Sequence, residues 1–144
     1  MKPEALLKRL LRDQNGAAII EFAILSPVIL GLLLGVLQVG LHMHAYNAVR
    51  SIVTDTSRFT VVEYQKNNDL TLEQIESRAR AYAVNPPYGL DTNALTVTVT
   101  QPTSGITGTT RFDVQVSYVP RGILGVFGVT APTITVTRPV FVGS

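Results

Sequence analysis

From Phe22 to Leu37 the chain carries no charged side chain, and the apolar run extends from Ala17 to Leu41 with only Glu21, Ser26, Pro27 and Gln38 breaking its hydrophobic and small-residue character. A helix needs about 20 mainly apolar residues to cross the hydrocarbon core of a bilayer. This run therefore reads as a membrane-spanning helix over 17–41. It also forces the remaining sequence to be assessed separately, because the positive mean hydropathy of the whole chain resides in this segment. The residues before it, 1–16, hold Lys2, Lys8, Arg9 and Arg12 against Glu4 and Asp13. A net-positive flank stays on the cytoplasmic side. The expected organisation is a cytoplasmic leader (1–16), a transmembrane helix (17–41) and an extracytoplasmic domain (42–144).

A cleaved secretory signal is the competing reading of an N-terminal apolar segment. Such signals usually have an apolar region of about 7–15 residues followed by a small-residue site. The run here is longer, and His44-Ala45-Tyr46-Asn47-Ala48 does not supply an Ala-x-Ala site.

Inside the span, Glu21 places a carboxylate where an unpaired charge costs roughly 2.5 kcal/mol or more at depth. Either it snorkels to the cytoplasmic headgroups or it meets a partner. Pro27 removes a backbone donor and clashes one turn back, which predicts a helix kink. Gly31 and Gly35 are spaced to let a second helix approach.

Beyond the span, Ala45, Val49, Ile52, Val53, Thr56 and Phe59 recur at three- and four-residue spacing, so the same helix is expected to continue to about Tyr64. Thr71 followed three residues later by Gln74 is a capping-box signal. It opens a second helix with Leu72, Ile75, Ala79 and Tyr82 on one face, stopped at Asn85-Pro86-Pro87. The period then changes to two. Leu95, Val97 and Val99 alternate with threonines, Phe112, Val114, Val116 and Tyr118 alternate with polar residues, and Ile134 and Val136 alternate with threonines again. Gln101–Thr109 reads as the hairpin loop between the first two strands, and Pro139 marks the last as an edge strand or a bent one. The expected fold is α+β: a long N-terminal helix, transmembrane in its first half, then a second helix and a small antiparallel sheet of about three or four strands packed on the extramembrane helix. The segment Val119–Val129 is too apolar for a solvated loop. It either joins the domain core or contacts the bilayer surface or a partner.

Composition excludes much chemistry. There is no cysteine, so disulfides, thiolate catalysis and thiolate metal sites are ruled out. The two histidines, His42 and His44, lie two apart on a helix and point to different sides, unlike an i, i+4 chelating pair. Eight basic and seven acidic residues are scattered through the distal domain without a stripe for nucleic-acid phosphates. No phosphate loop, dinucleotide motif or paired carboxylates stand out. A non-enzymatic role without metal, cofactor or nucleic acid is the expectation.

The junction of leader and span carries a more specific signal. The run Asn15-Gly16-Ala17-Ala18-Ile19-Ile20-Glu21-Phe22-Ala23, with Pro27 after it, resembles the class III signal of the TadE-like minor pseudopilins of the tight-adherence (Tad) pilus system. The resemblance implies cleavage between Gly16 and Ala17 by a prepilin peptidase on the cytoplasmic side, leaving Glu21 as the fifth residue of the mature chain and Phe22 beside it. It implies roles for Glu21 and Phe22 in processing and assembly, with Glu21 pairing the N-terminal amine of a neighbouring subunit. Other pilins and pseudopilins, the Tad assembly platform and membrane lipid are the implied partners, and assembly or priming of an adhesive fibre is the implied function. An uncleaved, single-span binding or sensor domain is the alternative, and a membrane-bound hydrolase a weaker third.

Overall fold

The computed structural model describes residues 15–143; the charges of the leader, Lys2 to Asp13, lie outside them. The first helix, α1 (Asn15–Gln65), is 51 residues long and contains Pro27 without a break in its helical assignment. The chain divides into two compact units after Leu37.

In the first unit no residue from Gly16 to Leu37 is buried. Ile20, Phe22, Ile29, Leu33 and Val36 are all largely exposed. An amphipathic helix of a globular protein shows one apolar stripe. A helix apolar all round needs an apolar environment on every side, and this one is long and apolar enough to cross a membrane.

The second unit begins at Gln38 and contains the rest of α1, then α2 (Leu72–Val84) and strands β1 (Leu95–Thr100), β2 (Thr109–Tyr118) and β3 (Ile134–Gly143). The strands form one antiparallel sheet in the order β1-β2-β3. The period-2 pattern sets its register. Leu95, Tyr118 and Ile134 make one cross-strand row on the inner face, and Val97, Val116 and Val136 the next. Phe112 beside Val140 and Thr110 beside Val142 extend that face, while Thr96, Thr98, Gln115, Thr135 and Thr137 look outward. A one-residue slip would turn the whole apolar set to water, so burial of one face fixes the pairing.

α1 and α2 cover the inner face. Ala45, Val49, Ile52 and Val53 of α1 join Ala79 and Ala83 of α2 against Leu95, Val97, Val116, Tyr118 and Ile134. Farther along, Ile75 meets Val99, Phe112, Val114, Val140 and Val142. The α1 seam departs from the sequence expectation at one place: it ends on Thr56, Ser57 and Thr60, all buried, whereas Phe59 is only half-buried. Small side chains allow α1 to pack closely, and the hydroxyls of Ser57 and Thr60 donate to the carbonyls of Val53 and Thr56 at 2.7 and 2.9 Å. Those bonds remove most of the penalty of burying a hydroxyl. Phe59 lies beside the seam, under the Arg78 guanidinium at 4.4 Å.

The capping box at the start of α2 forms in full: Thr71 Oγ1 accepts from the Gln74 amide, and Gln74 Oε1 accepts from the Thr71 amide. Side chains of α2 also engage the free edge of β1. Glu76 accepts from the Val99 amide at 2.9 Å, and Arg80 donates to the Val97 carbonyl. An exposed edge invites pairing with foreign strands; this one is occupied from within. The opposite edge is β3, where Pro139 sits opposite Asp113 in one unbroken strand. Proline is tolerated there because an edge strand need not donate on its outer side.

Candidate functional site

Gly16 and Ala17 fall in the first turn of α1 and are exposed. A Cβ built on Gly16 would meet nothing within 4 Å. The fold therefore gives no packing reason for glycine at that position. The same holds for Gly31, Gly35 and Gly40.

Glu21 and Phe22 lie just over one turn further on, both exposed. Among the described residues Glu21 has no basic partner. A carboxylate in an apolar stretch, with no compensating charge in its own described chain, is stabilised only by reaching headgroups or by a cation from elsewhere. Pro27 lies between Glu21 and the glycines on the same uninterrupted helix.

A second set of contacts lies where the folded unit begins. Gln38 interrupts the apolar run in the sequence, and the structure assigns it a partner: its Oε1 accepts from the Ile123 amide at 2.7 Å. A Cβ on Gly122 would come within 3.2 Å of the Gln38 amide nitrogen, a measure of how closely the Val119–Val129 segment approaches the helix. Sequence reasoning passed over Gln38. The available signal was its spacing, since Gln38, His42, Ala45 and Val49 continue the domain-facing stripe of α1 one and two turns toward the span.

The segment itself contains a short 3-10 turn, Ile123–Phe127. Pro120 is buried and Leu124 half-buried, but Val119, Ile123 and Val129 are exposed. Of the two expectations for this segment, inclusion in the domain core fails for these three residues. The cause is local: Gly122 and the left-handed Gly128 hold the turn outside the sheet, which ends at Tyr118. Arg121 ties the segment to Asp91, whose other carboxylate oxygen accepts from the Asn93 amide and caps the turn Thr92–Ala94. The Asn93 amide first, and Arg121 with it, hold the Asp91 carboxyl below its ordinary value.

His42 is half-buried and His44 exposed, in keeping with their placement on different sides of α1. Elsewhere, burial, and after it the hydrogen bond that Tyr88 donates to Asp55 at 2.8 Å, push the Tyr88 phenol up. The side chains of Asn68 and Lys66 hold Glu63 down. Asp55, Glu63 and Lys66 line one open groove along α1 with Arg58 and Arg78, whereas Tyr88 and Asn68 lie outside its lining. Arg138 was not singled out by sequence; it occupies an inner-face position of β3 opposite Val114 and donates to Thr54 Oγ1 of α1 at 3.1 Å.

An all-round apolar helix leading into a two-helix, three-strand α+β unit fits a protein with a single-pass membrane anchor. The likeness to a known family is carried by the helix: residues 16–58 match the family model described as TadE-like protein. Over that segment the chain is similar to the TadE-like proteins, in agreement with the resemblance carried by Gly16, Glu21 and Phe22. The match ends inside α1, so α2 and the sheet lie beyond it. Comparison with curated proteins and with solved structures finds no match.

Proposed function

We propose that this chain is a minor pseudopilin, cut after Gly16 by a prepilin peptidase and acting in the assembly or priming of a Tad-type pilus. It does so without catalysing a reaction. In this reading the basic leader stays in the cytoplasm until cleavage, the helix remains in the inner membrane, and the α+β unit stands on the far side. Prepilin peptidase, other pilins and pseudopilins, and the assembly platform are its partners.

The observation that carries this reading is the exposed Glu21 without a cation among the described residues, five positions into the helix that cleavage would release. A new α-amine on a neighbouring subunit is the natural complement. In a low-dielectric setting such a pair offsets two charges that are each unfavourable alone, and it sets the register between subunits. Gly16 supports the reading independently, because its lack of a side chain serves no contact among the described residues.

Co-expression with a Tad-type prepilin peptidase, followed by N-terminal sequencing, tests the proposal. The expected mature chain begins at Ala17. Gly16→Leu is expected to block the cut without disturbing the folded unit, since a larger side chain meets open space there. Full-length protein retaining Met1 in membranes that contain active peptidase would overturn the reading in favour of an uncleaved anchor. Unchanged gel mobility between Gly16→Leu and the parent would do the same.

A further inference from the structure

Within the folded unit one short hydrogen bond holds the loop Val119–Val129 to Gln38, the unit's first residue. Ala17–Leu37 is 21 residues of α-helix. At 1.5 Å per residue it rises about 30 Å, the thickness of a hydrocarbon core. Gln38 is the next residue and lies in the last turn of the apolar run 17–41, near the level where acyl chains give way to headgroups. The Gln38–Ile123 contact of 2.7 Å brings the loop to that same level.

The loop has the chemistry of that zone. Six of its eleven residues are large and apolar: Val119, Ile123, Leu124, Val126, Phe127 and Val129. Val119 is 47%, Ile123 36% and Val129 52% exposed, so the folded unit itself does not cover them. Arg121 supplies the loop's single charge, and it is exposed and paired with Asp91, so no unpaired charge of the loop has to enter the apolar layer. The adjoining turns of α1 match in character. Met43 and Tyr46 are exposed, and no Asp, Glu, Lys or Arg occurs between Glu21 and Arg50. Tyrosine is enriched at membrane interfaces for the same reason, an apolar body with a polar tip.

We propose that Val119–Val129 is a second membrane contact: Val119, Ile123 and Val129 rest in the interfacial layer of the bilayer beside the span, clasped at that height by Gln38. The occupant is lipid and not a protein surface, because the loop is bonded to Gln38 within the apolar run that itself requires lipid, and the turns of α1 that follow stay uncharged as far as Arg50. The consequence is orientation. With one helix as sole anchor the α+β unit is free to tilt and swivel, whereas a second contact presents one face of the sheet to its surroundings. This inference holds whether or not the chain is processed after Gly16.

The sheet contains its own control. β2 rises about 30 Å from Thr109 to Tyr118, so the polar hairpin that precedes Thr109 lies at the other end of the strand from the loop that follows Tyr118. Ile106 in that hairpin is 56% exposed. The chain has no cysteine, so Ile123→Cys, Val129→Cys and Ile106→Cys each provide one labelling site for an environment-sensitive fluorophore. The full chain is reconstituted in vesicles of phosphatidylethanolamine and phosphatidylglycerol. Quenching is measured with lipids carrying a nitroxide on the upper acyl chain and with aqueous iodide. Each variant must match the thermal midpoint of the parent; all three positions are exposed, and the two loop sites carry the test separately. The expected result is several-fold stronger lipid quenching at 123 and 129 than at 106, with the reverse order for iodide. Loop probes as open to iodide and as remote from lipid as the Ile106→Cys probe would overturn the proposal. Loop probes shielded from both quenchers, increasingly so at higher protein-to-lipid ratio, would overturn it in favour of a second copy of the chain.

Discussion

The two parts of α1 solve the same problem in opposite ways. From Gly16 to Leu37 the helix buries nothing, and its large side chains are exposed all round. From Ala45 to Thr60 it buries a stripe of small and β-branched residues against its own chain. Hydropathy separates them, since the first part is apolar all round and the second carries Arg50, Asp55 and Arg58 beside its stripe. The choice of residue adds to it: Leu, Ile and Phe suit lipid, which adapts to any shape, whereas Ala, Ser and Thr suit a close approach to a fixed surface. The first part is completed by its surroundings and the second is completed in cis.

The comparison is broken most directly by truncating an isoleucine in each part. Ile52→Ala, in the fully buried seam, is expected to cost about 2–5 kcal/mol. Ile29→Ala, exposed in the span, is expected to leave the folded unit unchanged. Thermal unfolding in detergent, followed by near-ultraviolet circular dichroism, measures both, and equal losses would remove the distinction. A smaller effect is expected at the capping box. Thr71→Ala deprives the Gln74 amide of its acceptor and should cost about 1 kcal/mol in the same unfolding assay, with no change in the helicity of the span.

Thr56→Val sharpens the contrast from the other side. The Thr56 hydroxyl is buried and has no partner among the described residues. Removing an unsatisfied buried hydroxyl at nearly constant volume is expected to be neutral or to stabilise by up to about 1 kcal/mol; a loss of that size would mean the hydroxyl is bonded. The smallest effect is acid dependence. Asp91 is held below its ordinary value when folded, so its contribution is complete above the unfolded pKa and is lost as pH falls through the folded one. The thermal midpoint of the folded unit should therefore decline below the usual carboxylate range. Asp91→Asn should flatten part of that decline, and the span should show none of it.

What the sequence made legible was whatever is decided locally. The capping box of Thr71 and Gln74 involves four consecutive residues, and the strand alternation from Leu95 to Val99 and from Phe112 to Tyr118 repeats every second position. Both are present as expected. Features decided between distant elements were not legible. Phe59 and Thr60 are neighbours that helical periodicity treats almost alike, and only the closeness of packing selects the smaller for burial. Glu76 and Arg80 looked like ordinary charges on a solvated helix face, yet they occupy the edge of a strand about twenty residues later. The apolar nature of Val119–Val129 was plain, but whether the core would take it in depended on where Tyr118 ends the sheet. Gln38 looked like an interruption because its partner lies 85 residues away. At the start of the apolar run, Gly16, Glu21 and Phe22 were recognisable as a pattern, and the fold adds that none of them is engaged in packing among the described residues.

The sheet is sequential, but the helix stripe it covers comes first in the chain. Val49 and Val53 share their cluster with Ile134, some eighty residues downstream. At about 5–20 residues per second of synthesis, α1 stays uncovered for on the order of ten seconds after it is made. The chain thus passes through a stage in which its apolar stalk is complete while its future core is bare, a period suited to escort by a chaperone and open to attack by a protease.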